Sequence, residues 1–569
     1  MARRWEEPVP LEADVVAALM RDLSVSPLIA RLLYLRNIRT VDFASTFFNP
    51  SPSETHDPYL FPGMETAVAR ILLARDRHEE VAIYGDSDVD GLTALAVLTR
   101  YLRSIGVSVH PYLPTRSDTS YGLHNPGIDE LDALGVTLII TVDTGTTAVD
   151  AVDYARSAKN IDVIITDHHE PGATLPAAIA VLNPKIAGST YPFRELSGCA
   201  MAFKLTQALA AASGKAWQEI EPLLEFVALG TAADIVPLVG ENRTLLSLGM
   251  KRLQKATIPG IIALSEVAGI DMQHLAVEDL LMTMSPRINA AARMGNPQRA
   301  LQLLITNDPE EAGSLAVAVE QDNYRRRALD EQMMREANES VRQSYDPKKD
   351  CAIVIVRHNW HLGLIGIMAS RIAELYHRPA VILSVENGVG RGSARTVNDF
   401  DIHSALSSCS DVMLQFGGHR CAAGLTIPEA AIPGFIERFK SYVAERITIT
   451  DLQPTIRPDA GLNLELIDHA LHRELQRLAP FGPANPRPVF IAKRVEVVGA
   501  TKVIAQKHLK FRVKQQGKIF NAIALGMADR YHELNGNRSL LDVCFGIDHA
   551  NGNWDNGLQL RIQDFRPAK

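Results

Sequence analysis

VAIYGDSDVDG, residues 81–91, decides the reading of this chain. An apolar run ends in a glycine, three aspartates (Asp86, Asp88, Asp90) follow at alternate positions, and Gly91 opens the apolar stretch LTALAVLTRYL. That order predicts a strand feeding a helix, with carboxylates clustered at the turn between them. Like charges this close repel, so they need open water or a cation, and the tight apolar framing favours a hard divalent cation held by carboxylate oxygens. D-x-D-x-D-G also begins a calcium EF-hand loop, but the twelfth position, counted from Asp86, is Val97 instead of the required glutamate. No G-x-G-x-x-G follows the strand, which removes a dinucleotide fold.

Downstream of this stretch, short β-branched runs alternate with amphipathic segments: VSVHPYL, TLIITV, DVIITD and AIAVLN. The alternation predicts βαβ units, hence an α/β protein with a doubly wound parallel sheet. Ligands of such sheets bind beyond the carboxyl ends of the strands. Asp143 follows TLIITV, Asp167, His168 and His169 follow DVIIT, and Asp234 closes the apolar stretch EFVALGTAAD. A carboxylate there is costly unless paired or bound to a cation.

The bulk numbers bound the class. At 569 residues the chain exceeds one ordinary core, its formal charge of -8 argues against whole-molecule attraction to nucleic acid, and 22% charged residues are ordinary for a globular protein. Five scattered cysteines without a C-x-x-C exclude a zinc knuckle or a disulfide framework, which fits a reducing cytoplasm. No apolar run is long enough to span a membrane, and MARRWEEPVP lacks the apolar core of a signal peptide.

The set GDSDVDG, TVDTG, TDHH and ALGTAADIVPL resembles the DHH phosphoesterase superfamily, and with the later motifs its single-strand-specific exonucleases. The resemblance implies that Asp86, Asp88, Asp90, Asp143, His168 and Asp234 hold two manganese or magnesium ions, with Asp143 as the bridge. It implies that His169 faces the substrate phosphate and that Asp167 orients a neighbour. Oxygen-rich ligands with one imidazole suit those ions better than zinc. Arg116, Arg287 and Asn289 match its phosphate-gripping positions, and guanidinium forks suit phosphate.

Asp308-Pro309 predicts a helix start, and the helical pattern then runs to about Tyr345, with Leu329, Met333, Ala337 and Val341 as a packing stripe. A second α/β segment follows, with CAIVIV and PAVILSV as strands and LGLIGIMASRIAELY as the helix between them. Its GRGSAR and QFGGHRCAAG motifs set closely spaced glycines beside Ser393, Arg395, Gly418 and His419, an arrangement that lets backbone N–H groups approach an anion. With Trp360 and His361 they resemble the DHH-associated domain, which in that family closes over the substrate strand. Near the C-terminus, eight Lys/Arg against the single acid Glu496 lie between Lys493 and Lys518, and Lys510, Arg512 and Lys514 alternate with Phe511 and Val513. One basic and one apolar face predict an OB-fold barrel with a single-strand track that includes Lys507.

The expected organisation is a helical segment over 1–45, the phosphoesterase domain over 46–307, a connecting helix over 308–346, the DHH-associated domain over 347–450 and the OB-fold over 455–569. Ser87, Thr144, Ala292, Ala394 and Thr119-Ser120 depart from the usual motifs; a methyl where glycine is usual is expected to narrow the approach of substrate. The resemblance implies a two-metal exonuclease that hydrolyses single-stranded DNA from 5′ to 3′, releasing mononucleotides in repair and recombination, as a cytoplasmic monomer, with a single-strand-binding protein and a helicase as partners. A phosphodiesterase for short oligoribonucleotides or cyclic dinucleotides is the alternative, disfavoured by the basic track; a non-catalytic scaffold is a second, disfavoured by six intact ligands.

Overall fold

The computed structural model describes residues 3–114, 122–534, 540–549 and 557–568. The chain divides into two compact units, Glu7–Glu320 with Pro458–Lys569, and Met1–Glu6 with Gln321–Arg457. Among the described residues no helix is long and apolar enough to cross a membrane.

In the first unit β1 (Glu80–Gly85), β2 (Ser108–Tyr112), β3 (Val136–Val142), β4 (Asp162–Thr166) and β5 (Ala180–Leu182) form a parallel sheet in the order 2-1-3-4-5. Each expected run is a strand. Alternate residues explain why both faces are covered: Val81 and Ile83 enter one apolar core, while Ala82 and Tyr84 enter another. The strand order reverses between β1 and β3, which makes their carboxyl ends the switch point where such folds bind ligands. Helix α1 (Val89–Ser104) leaves β1, and α2 (Gly198–Ala212) and α3 (Leu224–Ala233) pack against it.

The same unit contains a closed five-stranded barrel. Its strands, β11 (Phe490–Ile504), β12 (His508–Gln515), β13 (Lys518–Ala524), β14 (Leu541–His549) and β15 (Leu558–Pro567), pair in the order 11-12-13-15-14, and β14 returns to β11. Helices at Ala13–Leu23, Pro27–Leu35 and Val41–Phe48 share one apolar core with this barrel, joining Leu19, Leu33 and Phe47 to Phe490, Phe511 and Phe565. Arg243 fastens the junction. Its buried guanidinium donates to the carbonyls of Phe47, Leu478, Ala479 and Pro480 and lies 3.5 Å from the centre of the Phe47 ring; burial pushes it down to about 9.

The second unit is built on a sheet of β6 (Ile353–His358), β7 (Ala380–Glu386), β8 (Val389–Arg395), β9 (Gln415–Gly418) and β10 (Ala422–Pro428) in the order 9-10-8-7-6, with helix α5 over Leu362–Tyr376 as expected. Helix α4 (Pro309–Ser344) has 36 residues, and Asp308 Oδ1 accepts from the Glu310 N–H at 2.9 Å, so the Asp-Pro start is the observed one. Met333, Ala337 and Val341 of its stripe are buried and Leu329 is half-buried. Two residues absent from the sequence reading, Arg4 and Trp5, pair in parallel with Thr455 and Ile456.

Candidate metal centre and nucleic-acid surfaces

The loop after β1 is shaped by its glycine. Asp88 caps α1, its Oδ1 accepting from the Gly91 N–H at 3.0 Å, and a Cβ on Gly91 would lie 2.6 Å from the Asp86 carbonyl oxygen. Asp90, in the first turn of α1, points inward and is 1% exposed. Both of its oxygens accept backbone N–H groups from the start of α2, Gly198 at 2.6 Å and Cys199 at 2.9 Å. A helix N-terminus is the natural seat for a buried carboxylate, because its N–H groups lack partners within the helix. Ser197 caps that helix by accepting from Ala200.

Beyond β3, Asp143 adopts φ +58°, a left-handed conformation rare for residues other than glycine. Its Oδ1 lies 3.1 Å from His168 Nε2, which is 3.6 Å from Asp234 Oδ2. All three atoms are buried, and none of them makes a hydrogen bond. Ligand atoms within 4.8 Å of one another group Asp86, Asp88 and Asp143, then Asp90, His168 and Asp234, and also Asp143, His168 and His169. Buried polar atoms are ordinarily hydrogen-bonded, so a cluster of orphans aimed at one another fits a cation.

The electrostatics agree. Burial, then repulsion from Asp90 and Asp88, holds Asp143 well above the usual carboxylate range. Burial, then Asp234 and Asp88, does the same to Asp90, against the Cys199 and Gly198 N–H groups. Asp234 and Asp88 are raised by burial too, with Asp88 and Asp86 respectively as the next cause. His168 is pushed down to about 3 by burial and by His169, so its ring is neutral and can donate a lone pair. Asp167 differs from its neighbours. Burial would raise it, but the ring of His169 and the N–H groups of Thr146 and His169 outweigh burial and hold it well below the carboxylate range. Its Oδ1 also takes His169 Nδ1 at 2.8 Å, and that bond raises His169 above its ordinary value.

Of the expected phosphate contacts, Arg116 lies outside the described residues, as do Thr119 and Ser120. Arg287 is engaged within the fold: its Nε lies 2.6 Å from Glu320 Oε2 and its Nη1 donates to the Thr283 carbonyl. Asn289 is half-buried on the same helix, Ser285–Arg293.

In the second unit GRGSAR is strand β8, paired on both sides, not a loop of free N–H groups. Its glycines serve packing, since a Cβ on Gly392 would sit 2.7 Å from both Leu383 and Leu425. Side chains carry what remains. Arg395 donates to Ser393 Oγ at 2.8 Å, and burial lowers the guanidinium with no carboxylate among the described residues to offset it. Ala394 is fully buried and paired between Val381 and Ala423, so its methyl enters the core and does not narrow the Ser393 and Arg395 face. His419 tips the β9–β10 turn after Gly418, whose φ of +143° and close approach to Ala422 and Ala423 require glycine. Trp360 is buried and donates to Glu336, and His361 caps α5.

On the barrel, Lys510, Arg512 and Lys514 alternate with buried Phe511 and Val513. A groove of about 780 Å³ is lined by Lys510, Arg512, Lys502 and Lys518 above Phe511 and Phe520, whereas Lys514 and Lys507 are not in its lining. Sequence reasoning counted Lys502 and Lys518 among the basic residues but did not assign them to the track; register places them beside β12 and at the start of β13. It missed Gly198 and Gly230. A Cβ on Gly198 would meet Asp143 Oδ1 at 2.4 Å, and one on Gly230 would meet Asp90 Oδ1 at 2.7 Å. The Ser-Gly pair before an apolar helix was the available signal for the first.

Three family profiles match the chain: the DHH family N-terminal domain over residues 80–231, the DHHA1 domain over 349–445 and the RecJ OB domain over 458–564. The chain is 32% identical to the single-stranded-DNA-specific exonuclease RecJ of Escherichia coli over 98% of both sequences. It is 34% identical to that of Bacillus subtilis over 92% of its own length and 66% of the relative's. A crystal structure of RecJ from Thermus thermophilus in complex with Mn2+ superposes with a TM-score of 0.82 at 28% identity, covering 100% of this chain and 80% of that one. Matched at 32% identity along nearly the whole of both sequences, and in fold along its full length, this chain belongs to the RecJ family of single-stranded-DNA-specific exonucleases.

Proposed function

We propose that this chain is a divalent-metal-dependent exonuclease that shortens single-stranded DNA from its 5′ end, releasing mononucleotides in DNA repair and recombination. The observation that carries the reading is the convergence of Asp143 Oδ1, His168 Nε2 and Asp234 Oδ2, buried and without partners, beyond the sheet's switch point. Asp86, Asp88, Asp90, Asp143, His168 and Asp234 would hold two manganese or magnesium ions, with Asp143 shared between them. Such ions, when bound, supply a Lewis acid for phosphoryl oxygens and lower the pKa of a water.

The chain's own residues supply the rest. Asp167 fixes the His169 ring through Nδ1 and makes it more basic, so its half-exposed other edge is suited to meet a phosphate oxygen. Ser393 and Arg395 offer a hydroxyl and a guanidinium that has no carboxylate partner among the described residues, a pair suited to a terminal phosphate. The barrel groove, with four cations along it, suits the phosphate backbone of a strand too long for a short-substrate phosphodiesterase to need. The proposed setting is a cytoplasmic monomer acting with a single-strand-binding protein and a helicase.

End-labelled single and double strands, incubated with Mn2+, Mg2+ or EDTA, test this. Mononucleotides released from the 5′ end of the single strand only, with either ion and not with EDTA, is the expected result. Loss of label from duplex at the same rate, or activity that survives EDTA, would refute it.

A further inference from the structure

Helix α3 ends beside the metal centre in an unusual way. Asp234 is its C-cap, with φ −77° and an N–H bonded to the Gly230 carbonyl, and Ile235, the next residue, has φ +61°. That position after a helix, in the left-handed region, is where glycine is usual and asparagine tolerable, because a Cβ meets the following carbonyl. Isoleucine is among the least suited residues, since it carries two heavy groups on Cβ. Among the described residues Ile235 is the one β-branched side chain at positive φ.

A strained apolar residue commonly recovers its cost by packing, and this one does not. Ile235 is 69% exposed, while Val236 and Leu238 just after it are buried and Leu238 N–H is fastened to the Pro483 carbonyl at 2.8 Å. The turn is held firmly, yet the side chain projects to solvent directly after a carboxylate whose Oδ2 is 3.6 Å from His168 Nε2. Strain kept at the edge of a reaction site, without return from the fold, points to a ligand contact.

We propose that Ile235 is an apolar shelf for the nucleoside that adjoins the scissile phosphate, a substrate-contact residue that favours unpaired strands. The proposal rests on the exonuclease reading above. A branched side chain with few χ1 states offers a preformed surface to the C–H face of a deoxyribose and to the flat face of its base. In a single strand that base can leave its neighbours and lie on the shelf, whereas in a duplex it is stacked and paired.

The test compares Ile235→Gly, Ile235→Asn and Ile235→Val with the parent protein, using steady-state kinetics on a single-stranded oligonucleotide, Mn2+ titration and thermal melting. Glycine and asparagine, which accept this backbone, are expected to melt no lower than the parent and to bind Mn2+ equally. They raise KM about five- to tenfold with kcat within threefold, and valine stays near the parent. An unchanged KM in Ile235→Gly overturns the proposal. So does a joint loss of Mn2+ affinity and kcat, which would make Ile235 a positioning residue for Asp234. A parent protein that leaves single strands intact removes the underlying reading and the shelf with it, whereas an active parent with unchanged KM in the glycine variant removes the shelf alone.

Discussion

Substituting Gly198 by alanine probes the centre without touching a ligand. The added Cβ would stand 2.4 Å from Asp143 Oδ1 and 2.6 Å from Asp143 Cβ and Cγ, against an ordinary contact of 3.4 Å or more, so the carboxylate must retreat by about 1 Å. The backbone gives little room, because the Asp143 N–H is bonded to the Thr166 carbonyl at 3.0 Å and its φ is already +58°. Rotation of the side chain away from His168 is the remaining relief. Overpacking of this kind costs about 1–3 kcal/mol of stability. Metal sites tolerate ligand shifts of only about 0.2 Å, and a misplacement near 1 Å can cost on the order of a hundredfold in rate. We therefore expect Gly198→Ala to fold, to lose about a hundredfold in kcat on a 5′-labelled single strand, and to need far more Mn2+ for half-maximal rate. Gly313→Ala, at a half-buried position of α4 where nothing lies within 4 Å of the new methyl, serves as the control and should retain full activity. A Gly198→Ala protein that turns over within threefold of the parent at the same Mn2+ would show that Asp143 need not stay where this glycine lets it.

Three further outcomes follow from the same physics. Asp143→Asn keeps a residue that tolerates the left-handed backbone and removes one of the mutually repelling carboxylates, so the metal-free protein should melt higher while hydrolysis is abolished; a lower melting point would contradict the repulsion. The acid cluster also sets a pH dependence. Asp234 is raised to about 7 in the fold, by burial and then Asp88, whereas an unfolded aspartate titrates at about 4, so the native state holds protons that the unfolded chain has released and metal-free stability falls as pH rises through that window. Mn2+ should therefore raise the melting temperature more at pH 8 than at pH 6, and equal shifts would refute this. On the barrel, replacing Lys510 and Arg512 by alanine together should weaken long-strand binding and flatten the log Kd against log salt slope by about 1.4, the value for two lost phosphate contacts on a single strand; an unchanged slope would exclude the groove as a track.

Much of the fold is legible in the sequence. Residues 81–91 carry strand, turn and helix in one run, and the alternation of Val81 and Ile83 with Ala82 and Tyr84 is local information, as is the Asp-Pro start of α4. What failed to show was long-range or conformational. The N–H groups that hold Asp90 come from Gly198 and Cys199, 108 and 109 positions away, and the partner of Arg287 is Glu320 on another helix. GRGSAR misled because glycines that let strands pack and glycines that cradle anions are spelled alike; only the ladder on both sides of β8 separates them. The Arg4–Trp5 pairing with residues 455–456 is too short to leave a periodic pattern. The strain at Ile235 is a dihedral angle, which sequence does not record.

The core that joins the helices of residues 13–48 to the barrel of residues 490–567 also sets an order of events during synthesis. The parallel sheet can close as soon as its own strands emerge, but Leu19, Leu33 and Phe47 must wait for Phe490 and Phe565. At about 5–20 residues per second the wait is roughly half a minute to two minutes. For that interval the helices of residues 13–48 lack the apolar partners that cover them in the finished fold, so their greasy faces stay open to water.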